Sequence, residues 1–275
     1  MIALPQYFNR RVRFLYSMGK AIGFIIPVFF LASAFMPSGS FEEIQKSYER
    51  VSDAYLRKEE YFLMKCRAKE IPEETFGNMF IRVFKQEQVM EVWVQKPNGQ
   101  YIKFNEFKVY AMSGTLGPKR QQGDAQVPEG FYYINDYNPV SNYHLSLGVS
   151  YPNESDLRLS NALKKGGDIY IHGGQASSGC MAMSNYYIED IYIAAVKAHS
   201  RGQQKIPVHI YPFKPTVINV EYYTRFPQYS KHVKLWRNMA QGYMMFERTN
   251  RIPDVYVGND GYYRFTDPAS VQAAK

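Results

Sequence analysis

Two cysteines and five histidines are present among 275 residues, and one of each falls in a single stretch, IYIHGGQASSGCMAMSN, from Ile169 to Asn185. Cys180 follows His172 by eight residues, with Gly173, Gly174 and Gly179 between them. Nucleophilic cysteine chemistry needs a thiolate, a base to make it, and hydrogen-bond donors for an oxyanion. His172 ends a predicted strand, DIYIH, a rigid place for a base. Gly173-Gly174 lets the chain turn sharply and lets a substrate come close to the backbone. Gly179 can adopt conformations closed to other residues, so that nearby N–H groups converge on one spot. A helix is predicted to begin a few residues after Cys180, and the positive end of its dipole would lower the thiol pKa. Two other readings fit the same residues. One is a small buried hydrophobe beside an ordinary loop; the other is a metal site joining His172 and Cys180 to His144 or His209. No C-x-x-C or H-x-x-x-H spacing supports the metal, and the residues alone leave the first two readings open.

The elements that must position this stretch are mostly strands. The 24 Tyr and 18 Phe suit a pleated surface, and runs of strand type fall at 79–84, 89–95, 101–114, 129–135, 143–150, 168–172 and 206–213. KPNG at 96–99 supplies a tight turn. Helical patterning covers 41–71 up to Pro72, a short piece at 156–164, a segment ended by Gly202, and 229–249 with Trp236, Met239, Tyr243 and Phe246 as an apolar stripe. A hairpin is predicted at 254–265. This order predicts a mainly-β catalytic domain at 78–213, preceded by a helical segment at 37–77 and followed by a helix-plus-hairpin extension at 214–275.

The first 36 residues have a different composition. Arg10, Arg11, Arg13 and Lys20 precede the apolar run Ala21 to Met36, and Ala32-Ser33-Ala34 has the small-x-small form of a cleavage site. The run is sixteen residues, interrupted by Pro27, whereas a spanning helix needs about 20. A cleaved signal peptide is the first expectation, an uncleaved signal-anchor the second, and a buried helix the third; the first two place the rest in the periplasm or cell envelope. Two cysteines are too few for a stapled scaffold, so both read as free thiols. The formal charge of +8 comes from scattered Lys and Arg with no basic-aromatic repeat, which argues against nucleic acid.

The opening stretch resembles the H-G-…-S-x-G-C box of the L,D-transpeptidases with a YkuD-type catalytic domain. It stands here as His172-Gly173 and Ser177-Ser178-Gly179-Cys180. SGTLGPKRQQGDAQVPEGFYYIN (113–135) resembles the family's G-D-x-x-x-P-E-G-x-Y segment, and HLSLGVSYPNESD (144–156) and FERTNRIPDVYVGNDGYYRF (246–265) resemble segments of its YafK-like subgroup. The resemblance implies a YkuD-like β-sandwich with helical additions, no cofactor, and peptidoglycan stem peptides as substrate. It implies Cys180 as nucleophile and His172 as base, the Gly173 carbonyl orienting His172, and Gly179 and Cys180 N–H groups forming the oxyanion hole. The acyl-enzyme would pass to an amine, including one on a wall-attached protein, or to water, making an L,D-carboxypeptidase or an amidase; a silent wall-binding protein is the reading from another class. Two positions depart from the family pattern: Ser178 where many members carry His, and Ala182 where many carry Arg. Tyr151, Asn153, Ser177 and Ser178 are candidates for lining the cleft, Ser177 rather as a loop brace. Lys119 and Arg120 read as solvated surface before carboxylate ligands, and Glu129 as a structural turn partner. The oligomeric state is not legible.

Overall fold

Every residue of Met79–Phe84, the strand β1, is buried. Such a strand must be covered on both faces. On one face Met79, Ile81 and Val83 join a core that includes Ile188, Ile191 and Ala195. On the other, Phe84 packs with Leu235, Met239 and Tyr243, and Phe80 with Phe246. Arg82 shares that second face, bonded to Glu91 Oε2 at 2.9 Å and Glu247 Oε1 at 2.6 Å. The computed structural model describes residues 39–267. The predicted signal peptide or anchor at 1–36 lies outside them.

Around β1 run β2 (Val89–Gln95), β3 (Tyr101–Lys108), β4 (Ala111–Met112), β5 (Gly130–Asn138), β6 (Ser146–Val149), β7 (Tyr170–His172), β8 (Met181–Ala182) and β9 (Pro207–Tyr211). Their order in the sheet is β3-β2-β1-β9-β5-β6-β7-β8-β4. Only β1–β9 and β7–β8 are parallel. β5 belongs to both halves: its Gly130–Tyr133 part pairs with β9, its Ile134–Asn138 part with β6, and the register shifts between Ile134 and Asp136. Such an irregularity bends a strand and lets one sheet fold over its own core. The result is the mainly-β fold expected from the sequence, with helical additions.

Those additions differ in detail from the sequence reading. The predicted helix 41–71 is two helices, α1 (Phe41–Lys46) and α2 (Glu49–Ala68). Tyr48 between them is extended, at φ −85° and ψ 129°. Both pack on α4 (Ser184–Ser200), whose buried Lys197 donates to Glu42, Glu59 and Glu73 at 2.8–3.1 Å. The short helix α3 spans Glu154–Leu159, starting before its predicted place. After β9 comes α5 (Val217–Thr224), which has no apolar period and was not expected. The C-terminal helix α6 is Val233–Thr249, and its stripe Trp236, Met239, Tyr243 and Phe246 is buried. The strands β10 (Asp254–Val257) and β11 (Tyr263–Thr266) form the predicted hairpin.

Candidate active site

The register of β7 and β8 sets the site. Ile171 pairs with Met181 and His172 with Ala182, so one step back places Cys180 beside Tyr170. The Tyr170 N–H reaches Cys180 Sγ at 3.4 Å. Alternate residues share a face of the sheet, and Cys180, immediately before β8, continues that register onto the face of His172. His172 is buried and Cys180 half-buried. The Gly173 carbonyl lies 2.5 Å from His172 Nδ1. A carbonyl only accepts, so Nδ1 carries the proton and Nε2 is left free as a base.

Gly173 itself is required by a close approach. A Cβ there would stand 2.5 Å from the Tyr143 carbonyl and 2.7 Å from the Asn185 amide oxygen. Tyr143 and Asn185 occupy the position of a side chain at 173, and Asn185 Oδ1 also accepts from the Gly174 N–H at 2.8 Å. Gly179 has φ +98°, a left-handed backbone that favours glycine. Its N–H donates to Ser113 Oγ at 2.6 Å, so it is not free for an oxyanion as expected. The Cys180 N–H has no partner among the described residues and is the donor left beside the thiol. Ser113 in turn donates to the Ala125 carbonyl at 2.8 Å. Ser177 Oγ accepts from the Ser113 N–H at 3.0 Å and donates to the Cys180 carbonyl at 2.7 Å. Two serines therefore brace the loop that carries Cys180, and Ser178 is exposed.

Burial decides the charge state of the pair. It pushes the Cys180 thiol above its ordinary pKa, outweighing the Tyr170 N–H that favours thiolate, and it holds His172 below the ordinary imidazole value against the Gly173 carbonyl. The resting site is a neutral thiol, pointing at the Asp168 carbonyl 3.5 Å away, with a neutral imidazole. The expected lowering of the thiol pKa by a helix dipole does not prevail: β8 intervenes, α4 starts only at Ser184, and desolvation is the larger effect.

The remaining candidates have structural partners. Tyr151 is buried, with its hydroxyl on the Lys165 carbonyl at 3.1 Å. Asn153 caps α3 through Asp156 N–H at 2.9 Å and spends its amide on Phe131 O and Tyr263 Oη, both at 3.0 Å. Lys119 and Arg120 are not solvated surface: Lys119 is buried on Asp124 at 2.6 Å, and Arg120 binds Asp156 at 2.8 Å. Glu129 is buried with Lys85 at 2.9 Å, the Gly117 N–H at 2.7 Å and the Trp236 indole at 2.8 Å. It thereby ties α6 to the loop that leads to Ser113. His144 Nε2 pairs with Glu189 at 2.8 Å. His209 sits between the rings of Phe80 and Phe131, its pKa pushed down to about 3 by burial. The sequence reading missed Ser113, Asn185 and Tyr143, whose ring lies on His172 with centroids 4.6 Å apart. A groove of about 430 Å³ runs between the 115–126 loop and α6, lined by Thr115, Arg120, Gln126, Lys231, His232 and Tyr262. Gln126, at the edge of this groove, also packs against Gly179: its carbonyl is 3.1 Å from where a Gly179 Cβ would stand.

Comparison with known proteins agrees with this geometry. The model of the YkuD family, the L,D-transpeptidase catalytic domain, matches residues 78–210. A protein of Escherichia coli K12 named "Putative L,D-transpeptidase YafK" is 34% identical over 206 residues, covering 74% of this chain and 80% of its own length. Its counterpart in Escherichia coli O157:H7 matches equally. Among solved structures, the helical cell shape determining protein Pgp2 from Campylobacter jejuni overlaps 66% of this chain and 73% of its own, at 18% identity and a TM-score of 0.41. Bd1075 of Bdellovibrio bacteriovorus overlaps 70% of this chain and 86% of its own, at 16% identity and a TM-score of 0.37. Those two distant overlaps carry no argument about function. The extent of the YafK match, with a box that folds into a Cys/His pair at adjoining strands, places this chain in the L,D-transpeptidase family with a YkuD catalytic domain.

Proposed function

We propose that this chain is an exported, cysteine-dependent peptidoglycan enzyme of the L,D-transpeptidase type. His172 Nε2 takes the proton of the Cys180 thiol as sulfur attacks the carbonyl at the L-centre of diaminopimelate in a stem peptide. The tetrahedral oxyanion meets the Cys180 N–H and collapses to a thioester, while His172 returns its proton to the departing amine. An amine acceptor, on a second stem peptide or a wall-attached protein, then attacks the thioester and regenerates the thiol.

The observation that carries this reading is the pairing of β7 with β8, which sets His172 and Cys180 on one face while the Gly173 carbonyl fixes the tautomer. Family membership supports the substrate class. The Arg-flanked apolar segment at 1–36 supports export to the periplasm or cell envelope, with either a cleaved or an anchored N-terminus.

Incubation with tetrapeptide muropeptides, resolved by mass spectrometry, tests the reaction. Cross-linked dimers are the expected product. Tripeptides alone would replace transpeptidation with L,D-carboxypeptidase action. Release of a group from diaminopimelate with no change to free tetrapeptides would replace it with an amidase. No change to any stem peptide would overturn the reading.

A further inference from the structure

We propose that Tyr143 is a positioning residue for His172, held over it by two arginines of α2, which lies outside the segment matched by the catalytic-domain model. The inference rests on the reading of His172 as the base.

Two contacts set the imidazole. In its plane is the Gly173 carbonyl on Nδ1 at 2.5 Å. On its face is the Tyr143 ring, centroids 4.6 Å apart and planes 36° apart. One in-plane bond leaves the ring free to rock about it; a flat surface on one face removes that freedom. The Tyr143 hydroxyl has no hydrogen-bond partner among the described residues, and the residue is 50% exposed. The ring, not the hydroxyl, therefore makes the contact. When His172 accepts the Cys180 proton, the imidazolium forms against an aromatic face, which favours a cation.

The loop that carries Tyr143 is not self-supporting. His144 has φ +73°, a left-handed backbone that non-glycine residues avoid unless their surroundings hold it. Arg50 donates to the carbonyls of Ser141 at 2.5 Å and His144 at 3.0 Å. Arg57, seven residues on and so on the same side of α2, binds Glu189 at 2.7 Å, and Glu189 holds His144 at 2.8 Å. Arg50 spans Tyr143 directly, and Arg57 acts through Glu189 of α4 on His144 alone. The segment 37–77, expected from sequence as a separate addition, is on this account part of the active-site scaffold.

The test is the rate of Cys180 alkylation by iodoacetamide in the full chain near neutral pH. It is read on the Cys180 peptide by mass spectrometry, so that buried Cys66 does not contribute and no peptidoglycan substrate is needed. His172→Ala measures how much of that rate depends on the base, with an expected loss of about a hundredfold. Tyr143→Ala is expected to lose about tenfold, Tyr143→Phe to stay within about twofold of wild type, and Arg50→Ala to fall between them. In the His172→Ala background, Tyr143→Ala should cost nothing further, because the ring acts only through the imidazole. Thermal unfolding confirms that each variant is folded. A wild-type rate in Tyr143→Ala, an equal loss in Tyr143→Phe, or an undiminished loss in the double variant overturns the proposal and leaves the Cys/His reading standing. A wild-type rate in His172→Ala overturns both.

Discussion

The two halves of the sheet are built on different principles. In one, β1, β2, β3 and β9 have five to eight residues each. Their inner faces are apolar, and even the buried charges are consumed in pairs such as Arg82 with Glu91. In the other, β6, β7, β8 and β4 have only two to four residues. This half shares the main apolar core through Leu147, Ile171 and Met181, and its loops are further tied by side chain to backbone bonds: Ser113 to Gly179, Ser177 to Cys180, Asn185 to Gly174 and Arg50 to His144. The first half relies on long ladders, the second on short ones supplemented by polar contacts. A site on short strands can be shaped by a few polar contacts, and it is more easily disturbed by losing one.

The largest expected effect is at the nucleophile. Cys180→Ala should abolish turnover of a stem peptide while the unfolding midpoint stays near wild type, read by product analysis and by calorimetry. Arg82→Ala should do the reverse. It removes the buried partner of Glu91 and leaves that carboxylate only Lys103 and the Trp93 indole, each at 3.0 Å, at a cost of about 1–3 kcal/mol. Urea denaturation should show that loss while the folded fraction keeps its Cys180 alkylation rate; a large fall in that rate would mean the halves are not separable. Ser113→Ala removes the acceptor of the Gly179 N–H, at about 1–3 kcal/mol. It should lower kcat more than it lowers global stability. The smallest effect is in pH. His172 is held below the ordinary imidazole value by burial, so it stays neutral, and the enzyme active, to lower pH than an unperturbed histidine would allow. Activity then falls as pH drops through His172's own value. A preformed thiolate–imidazolium pair would instead lose activity on the alkaline side of neutrality, where the imidazolium deprotonates, and that profile would contradict the neutral resting pair.

The half with the long ladders was the more legible. MFIRVF and VMEVWVQ announce β1 and β2, and the stripe from Trp236 to Phe246 announces α6, because burial of a regular element leaves a period in the chain. In the other half the H-G and S-S-G-C residues were legible as a box, but their supports were not. Ser113 is 64 positions from Ser177, and Arg50 is 94 from His144; contacts of that range leave no local signature. β8 has two residues, too few to show any period. Ala182, on the two-residue β8, is wholly buried and pairs with His172 on one side and Ala111 on the other. The thiol pKa was misjudged because a helix start is visible in sequence and desolvation is not. The burial of Lys119 was hidden for the same reason: its partner Asp124 is brought to it by the fold.

The central claim, that Cys180 becomes acylated by a stem peptide, is tested most directly by trapping the intermediate. The full chain is mixed with a tetrapeptide muropeptide, quenched in acid and digested, and the peptide spanning Cys180 is weighed by mass spectrometry. The account predicts a hydroxylamine-sensitive adduct of the acyl fragment on Cys180, absent in Cys180→Ala and scarce in His172→Ala. Product formation by Cys180→Ala at the wild-type rate, with no adduct on the native chain, would contradict it.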